Sequence, residues 1–143
     1  VAFGGCRRRL LQPGRYTELF FLDEATALAA GHRPCAACRR DAYAGFLAAW
    51  AAAHGTADRA AAVDSRLHAE RTAPGRGCER PRRALESLPN GSMVLTACGR
   101  PALVLRGRLL PWSHRGYGPA AEAPAQPHVL LTPEATVTAA VSG

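Results

Sequence analysis

Along this chain the period of the apolar positions changes several times, and each change marks an element. Tyr43, Phe46, Leu47 and Trp50 fall at i, i+3, i+4 and i+7, a single helical stripe that must face a core. The spacing predicts a helix that starts within or just after the cysteines at 35 and 38, runs to about Ala53 and ends at His54-Gly55. Upstream, Tyr16 to Leu22 (YTELFFL) reads as a short strand rich in aromatics. Asp23 then suits a helix cap, and Glu24 to Ala30 is built from helix formers with an acid in the first turn. Gly31 supplies the left-handed stop.

A third helix is predicted from Thr56 to about Arg71, with Thr56 as its cap. Between Thr72 and Arg83 proline, glycine and arginine replace any periodicity, so residues 72–83 read as a linker. Beyond it Pro89-Asn90-Gly91 marks a turn. Met93 to Ala97, Ala102 to Leu105 and Leu109 to Trp112 are short β-prone runs, which predict an antiparallel meander. Residues 116–127 form a proline-rich excursion. His128 to Leu131 follows as a further strand, and a helix is expected to start near Pro133, a residue that fits a first helical turn. The expected fold class is α+β. Residues 1–71 form a helical N-terminal part, and residues 84–143 form a small β region with a terminal helix.

Composition narrows the class of protein. At 143 residues the chain can bury a core without a metal. It opens on Val1 and reads as a fragment whose true ends lie outside it. No apolar run approaches the roughly 20 residues of a membrane-spanning helix, and the start VAFGGCRRRLL has no stretch that suits a secretory signal, so a soluble, cytoplasmic protein is expected. The formal charge is +7 and all 18 basic residues are arginine. The lack of lysine looks like a coding bias, but the positive balance favours an anionic partner such as DNA.

The five cysteines are Cys6, Cys35, Cys38, Cys78 and Cys98, an odd number that argues against a disulfide framework and for reduced thiols or metal ligands. Cys35 and Cys38 sit in GHRPCAACRR, and such a pair can turn two sulfurs toward one tetrahedral zinc. Two donors make half a structural site. Cys6 and one further donor are needed, with His32, His54, His68 or a cysteine upstream of Val1 as candidates. The pair can also be read as a redox dithiol, although the thioredoxin-like sheet that usually carries one is not evident, or as two buried structural thiols. Arg7, Arg8, Arg9, Arg33, Arg39 and Arg40 flank these cysteines and could contact nucleic-acid phosphates or balance a zinc thiolate centre. Arg39 and Arg40 open a helix, where cations are disfavoured, which points to a local anion.

The stretch Tyr16 to Arg40, YTELFFLDEATALAAGHRPCAACRR, resembles the second half of the zinc-binding module of Ada-type DNA repair proteins. The aromatic strand, the acid-capped short helix, the glycine stop and the Arg-Pro-Cys-x-x-Cys occur there in the same order. The resemblance covers about 25 of 143 residues; the opening is also similar to that of a group of bacterial proteins. It implies a zinc knuckle at the N-terminus, with Cys35 and Cys38 as one ligand pair. Cys6 stands near the second member of the earlier pair, and His32 is the candidate that completes the set. In that family the first member of the earlier pair is the nucleophile that accepts a methyl group from a DNA phosphotriester. Here that position is Ala2. The resemblance therefore implies a non-catalytic zinc module that contacts DNA or another anionic partner. The alternative is a thiol methyl acceptor whose nucleophile is Cys6 or lies upstream.

The remaining candidates read blandly. His68 and Cys78 suit a surface histidine and a loop thiol, and Cys98 a turn. Trp112 to Tyr117 (WSHRGY) mixes stacking and charged groups, but a strand end followed by a turn explains it equally well. No Ser/His/Asp order or phosphate-cradling glycine loop is present.

Overall fold

The computed structural model describes residues 2–3, 6–7, 13, 19–72 and 80–142, apart from the side chains of 2–3, 6–7 and 142. The short strands β1 (Ala2–Phe3) and β2 (Cys6–Arg7) pair antiparallel, with Phe3 opposite Cys6. Three helices follow: α1 (Glu24–Ala29), α2 (Arg40–His54) and α3 (Ala60–Thr72). The rest of the chain supplies β3 (Arg82–Arg83), β4 (Met93–Leu95), β5 (Pro101–Leu105), β6 (Arg108–Ser113), β7 (Gly116–Tyr117), β8 (His128–Leu130) and α4 (Glu134–Ser142). These strands form one antiparallel sheet in the order β3-β8-β4-β5-β6-β7. The architecture is α+β.

The short α1 forms because both of its ends are satisfied. Asp23 Oδ1 accepts the Thr26 N–H at 2.8 Å while Thr26 Oγ1 accepts the Asp23 N–H at 3.2 Å, a reciprocal capping box. At the other end Gly31 takes φ +77°. Its N–H reaches Leu28 O at 2.9 Å and that of His32 reaches Ala27 O at 3.0 Å, the double closure of a Schellman motif. This motif sets the direction in which the chain leaves toward the cysteines.

Two apolar clusters hold the molecule together. The first joins one face of the sheet (Val94, Ala102, Val104, Leu109 and Leu130) to Leu85, Leu88 and Val137. The second joins Trp50 of α2 and Val63 and Leu67 of α3 to Ala135 and Ala139 of α4. Helix α4 therefore serves both, with Val137 in one cluster and Ala135 and Ala139, four residues apart, in the other. Polar contacts fix it there. Glu70 Oε2 accepts the Ala135 N–H at 3.0 Å, His54 Nε2 lies 3.0 Å from Ala135 O, and Arg83 pairs with Glu134.

Several expectations need correction. Leu19–Leu22 form no strand and are exposed, because among the described residues no strand lies beside them; residues 16–18 lie outside the described set. Helix α3 starts at Ala60 rather than behind a Thr56 cap. Asp58, in the segment between them, is occupied in receiving the Trp50 indole N–H at 3.0 Å, and Arg59 O accepts the N–H groups of Ala62 and Val63. The end of the expected linker, Arg82 and Arg83, is drawn into the sheet against Val129 and His128. The segment after Trp112 turns back as β7, with Trp112 opposite Tyr117. Among the described residues no helix is long and apolar enough to cross a membrane.

Candidate functional site

The cysteine pair lies between α1 and α2. Pro34 leads into a turn in which the Arg39 N–H closes on Cys35 O at 2.9 Å, and α2 begins at Arg40. Inside this turn the Cys38 N–H donates to Cys35 Sγ at 3.5 Å. That backbone hydrogen bond first, and then the nearby Ala37 N–H and Cys38 thiol, hold the Cys35 thiol below its ordinary pKa. The Cys38 thiol is pushed up, first by its hydrogen bond to Cys35. Both residues are exposed, so the reading of the pair as buried structural thiols is overturned.

Two clefts meet at Cys35. One, of about 400 Å³, is lined by Leu19, Phe21, Leu28, His32 and Cys35 among others. The second, of about 540 Å³, lies between the 31–37 loop and α3, where Cys35 and His32 face Asp64, His68 and Arg71. Gly31 allows this close approach: a Cβ there would stand 3.3 Å from Arg71 Cδ and 3.5 Å from Leu67 O. Arg33 ties the loop down. Its Nη2 and Nε each lie 2.8 Å from an Asp64 carboxylate oxygen, and its guanidinium sits over the Tyr43 ring at 5.1 Å from the centroid.

Cys35 and Cys38 share one turn, and His32 lines both clefts with Cys35 while its ring leans on Phe21 at 5.1 Å between centroids. Cys6 has its backbone in β2, but its side chain, that of Arg7, and all of Arg8, Arg9 and Cys78 lie outside the described residues. Among the described residues no three His, Cys, Asp or Glu side chains are grouped to hold a metal ion. His54 is engaged elsewhere, edge-on to Trp50 at 4.5 Å and bonded to Ala135 O. His68 Nδ1 lies 3.1 Å from Arg71 Nη2. Of the arginines expected at phosphates, Arg33 is held by Asp64 and Arg39 by Glu24 at 3.1 Å, whereas Arg40 is exposed. The anion that Arg39 meets is thus the Glu24 carboxylate.

Cys98 is exposed on the β4–β5 turn, with Thr96 Oγ1 3.1 Å from its sulfur, and that contact holds its pKa down. Comparisons of the chain with protein-family models, with curated proteins and with solved structures found no match.

Chemically, the pair offers two solvent-facing sulfurs, one of them favouring the thiolate that metal ions require. Two donors from one tight turn fit half of a tetrahedral zinc site, and zinc would supply structural cross-linking there rather than a reaction.

Proposed function

We propose that the N-terminal part of this chain is a zinc-binding module resembling the Ada metal-binding domain, non-catalytic, which contacts DNA or another anionic partner. The observation that carries this reading is the Cys35–Cys38 turn, in which the Cys38 N–H donates to Cys35 Sγ and both residues are exposed. Cys35 and Cys38 would hold Zn2+, with Cys6 as a further donor; His32, which forms no metal-binding group with the pair in this structure, would have to leave its packing on Phe21 to complete the set. Arg40, next to the pair and exposed, is the first candidate for a phosphate contact, and the arginines at 7, 8 and 9 add charge close to Cys6 in sequence. The positive formal charge of +7 supports an anionic partner.

Elemental analysis of the purified chain tests the metal. One zinc per chain is expected, lost in Cys35→Ser and in Cys38→Ser and weakened in Cys6→Ser and His32→Gln. A chain without stoichiometric metal overturns the reading. Fluorescence anisotropy with a labelled DNA duplex at several salt concentrations tests the partner. Arg40→Ala is expected to weaken binding and to lower the salt dependence by roughly one phosphate contact.

A further inference from the structure

The same turn has the makings of a second activity that needs no metal. The Cys35 and Cys38 residues lie three apart in a closed turn, the Cys38 N–H donates to Cys35 Sγ at 3.5 Å, and both are exposed. The two are not equivalent. Cys35 lines both clefts, and Cys38 lines neither. A small molecule entering either cleft therefore meets Cys35 rather than Cys38, which stands three residues on in the same turn. The cleft beside α3 also presents the Arg71 guanidinium, a cation suited to a ligand that carries carboxylates.

We propose that the metal-free pair is a thiol–disulfide exchange site for small, carboxylate-bearing disulfides, with Cys35 as the attacking sulfur and Cys38 as the resolving one. The Cys35 thiolate attacks one sulfur of the disulfide RSSR. The S–S bond of RSSR breaks, a Cys35–SR bond forms, and the first thiolate RS⁻ leaves. The Cys38 sulfur, its proton passing to solvent, then attacks Cys35 Sγ. This forms the Cys35–Cys38 disulfide and expels the second RS⁻. Two protein thiols are oxidised, and RSSR is reduced to two RSH once each thiolate takes a proton. Reaction and metal binding exclude one another, because both use the same lone pairs.

The proposal goes beyond the zinc reading and fails separately from it. The test treats the full-length chain, stripped by a chelator and fully reduced, with glutathione disulfide, and follows it by mass spectrometry and peptide mapping. Wild type is expected to yield a 35–38 disulfide with no retained glutathione. Cys38→Ser is expected to accumulate glutathione on Cys35, released by dithiothreitol, and Cys35→Ser to react at residue 38 roughly tenfold more slowly or less. Two further variants, Arg71→Ala and Arg71→Glu, are expected to slow the first step progressively. The proposal is overturned if wild type retains glutathione on both sulfurs, if modification falls on Cys98 in preference to Cys35, or if Cys38→Ser leaves Cys35 unmodified. Zinc content, measured beforehand on untreated protein, decides the other reading independently.

Discussion

The Tyr117 hydroxyl donates to Asp23 Oδ2 at 2.7 Å, joining residues 94 positions apart. Asp23 is the same residue that caps α1, so one carboxylate starts the helix before the cysteine turn and anchors it to the last hairpin of the sheet. Burial on its own would raise the Asp23 pKa. The hydrogen bonds from Tyr117 and from Thr26 outweigh it and hold the carboxyl below its ordinary 3.8. Burial and the neighbouring carboxylate likewise push the Tyr117 hydroxyl upward and keep it protonated.

Tyr117→Phe is therefore expected to lower the unfolding free energy by about 1–2 kcal/mol near neutral pH, with an unchanged urea m-value. The sign of the pH effect follows from the depressed carboxyl. Its stabilising contribution is fully present above the ordinary Asp value and is lost as pH falls through the lower folded value. The difference between wild type and Tyr117→Phe should accordingly shrink between pH 6 and pH 3, which urea titrations at the two pH values would measure. A difference that grows on acidification would contradict the assignment.

At Gly31 the prediction concerns backbone conformation. With φ at +77°, alanine there takes on the left-handed penalty of about 1–2 kcal/mol. Its Cβ also presses on Arg71 Cδ at 3.3 Å. Gly31→Ala should thus lower the urea midpoint, and Gly31→Asn, which tolerates the left-handed region, should lower it less. Equal losses in the two variants would put the cost in packing against α3 instead.

Trp50 is fully buried between α3 and α4, and its indole N–H is bonded to Asp58. Trp50→Ala is expected to cost about 3–5 kcal/mol, measured by chemical denaturation. Asp58→Ala leaves the packing and removes only a partner of the indole N–H, so a much smaller loss is expected. Because α4 closes both apolar clusters, the sheet should unfold in the same transition as the helices. Far-ultraviolet circular dichroism and Trp112-sensitive fluorescence in Trp50→Phe would then report one midpoint.

What the sequence disclosed was governed by local physics. The α2 stripe, the Asp23 cap, the Gly31 stop and strands β4, β5, β6 and β8 are written in short-range patterns, and the structure has them within a few residues. The misses lie where a partner, rather than a pattern along the chain, decides the element. β3 exists because β8 offers it an edge, and β7 because the turn at His114–Arg115 folds back on Trp112; neither two-residue strand has a periodicity of its own. Leu19–Leu22 show the converse, a β-prone run with no described strand to pair with. At the candidate site the Cys-x-x-Cys turn was legible. That Asp64 neutralises Arg33 and that Glu24 holds Arg39 was not, since pairs 31 and 15 positions apart leave no local trace.

The Arg33–Asp64 pair gives the last prediction. Arg33 is only 18% exposed and donates to the carboxylate from Nη2, with Nε near the other oxygen at 2.8 Å but not aligned for a hydrogen bond, while Asp64 is 52% exposed, so solvent screens the pair only in part. A double-mutant cycle of Arg33→Ala and Asp64→Ala should give a coupling of about 1 kcal/mol, above the usual value for an exposed pair. Arg33→Lys should recover little of it, because an ammonium cannot reach Asp64 while lying flat over Tyr43 as the guanidinium does. The pair also tethers the loop that carries Cys35 to α3 and sets the width of the cleft between them. Asp64→Ala should therefore speed hydrogen exchange at residues 31–39 more than in α2, read by mass spectrometry of the reduced chain. Uniform acceleration across both would mean that the pair stabilises the whole molecule and exerts no particular hold on the cysteine turn.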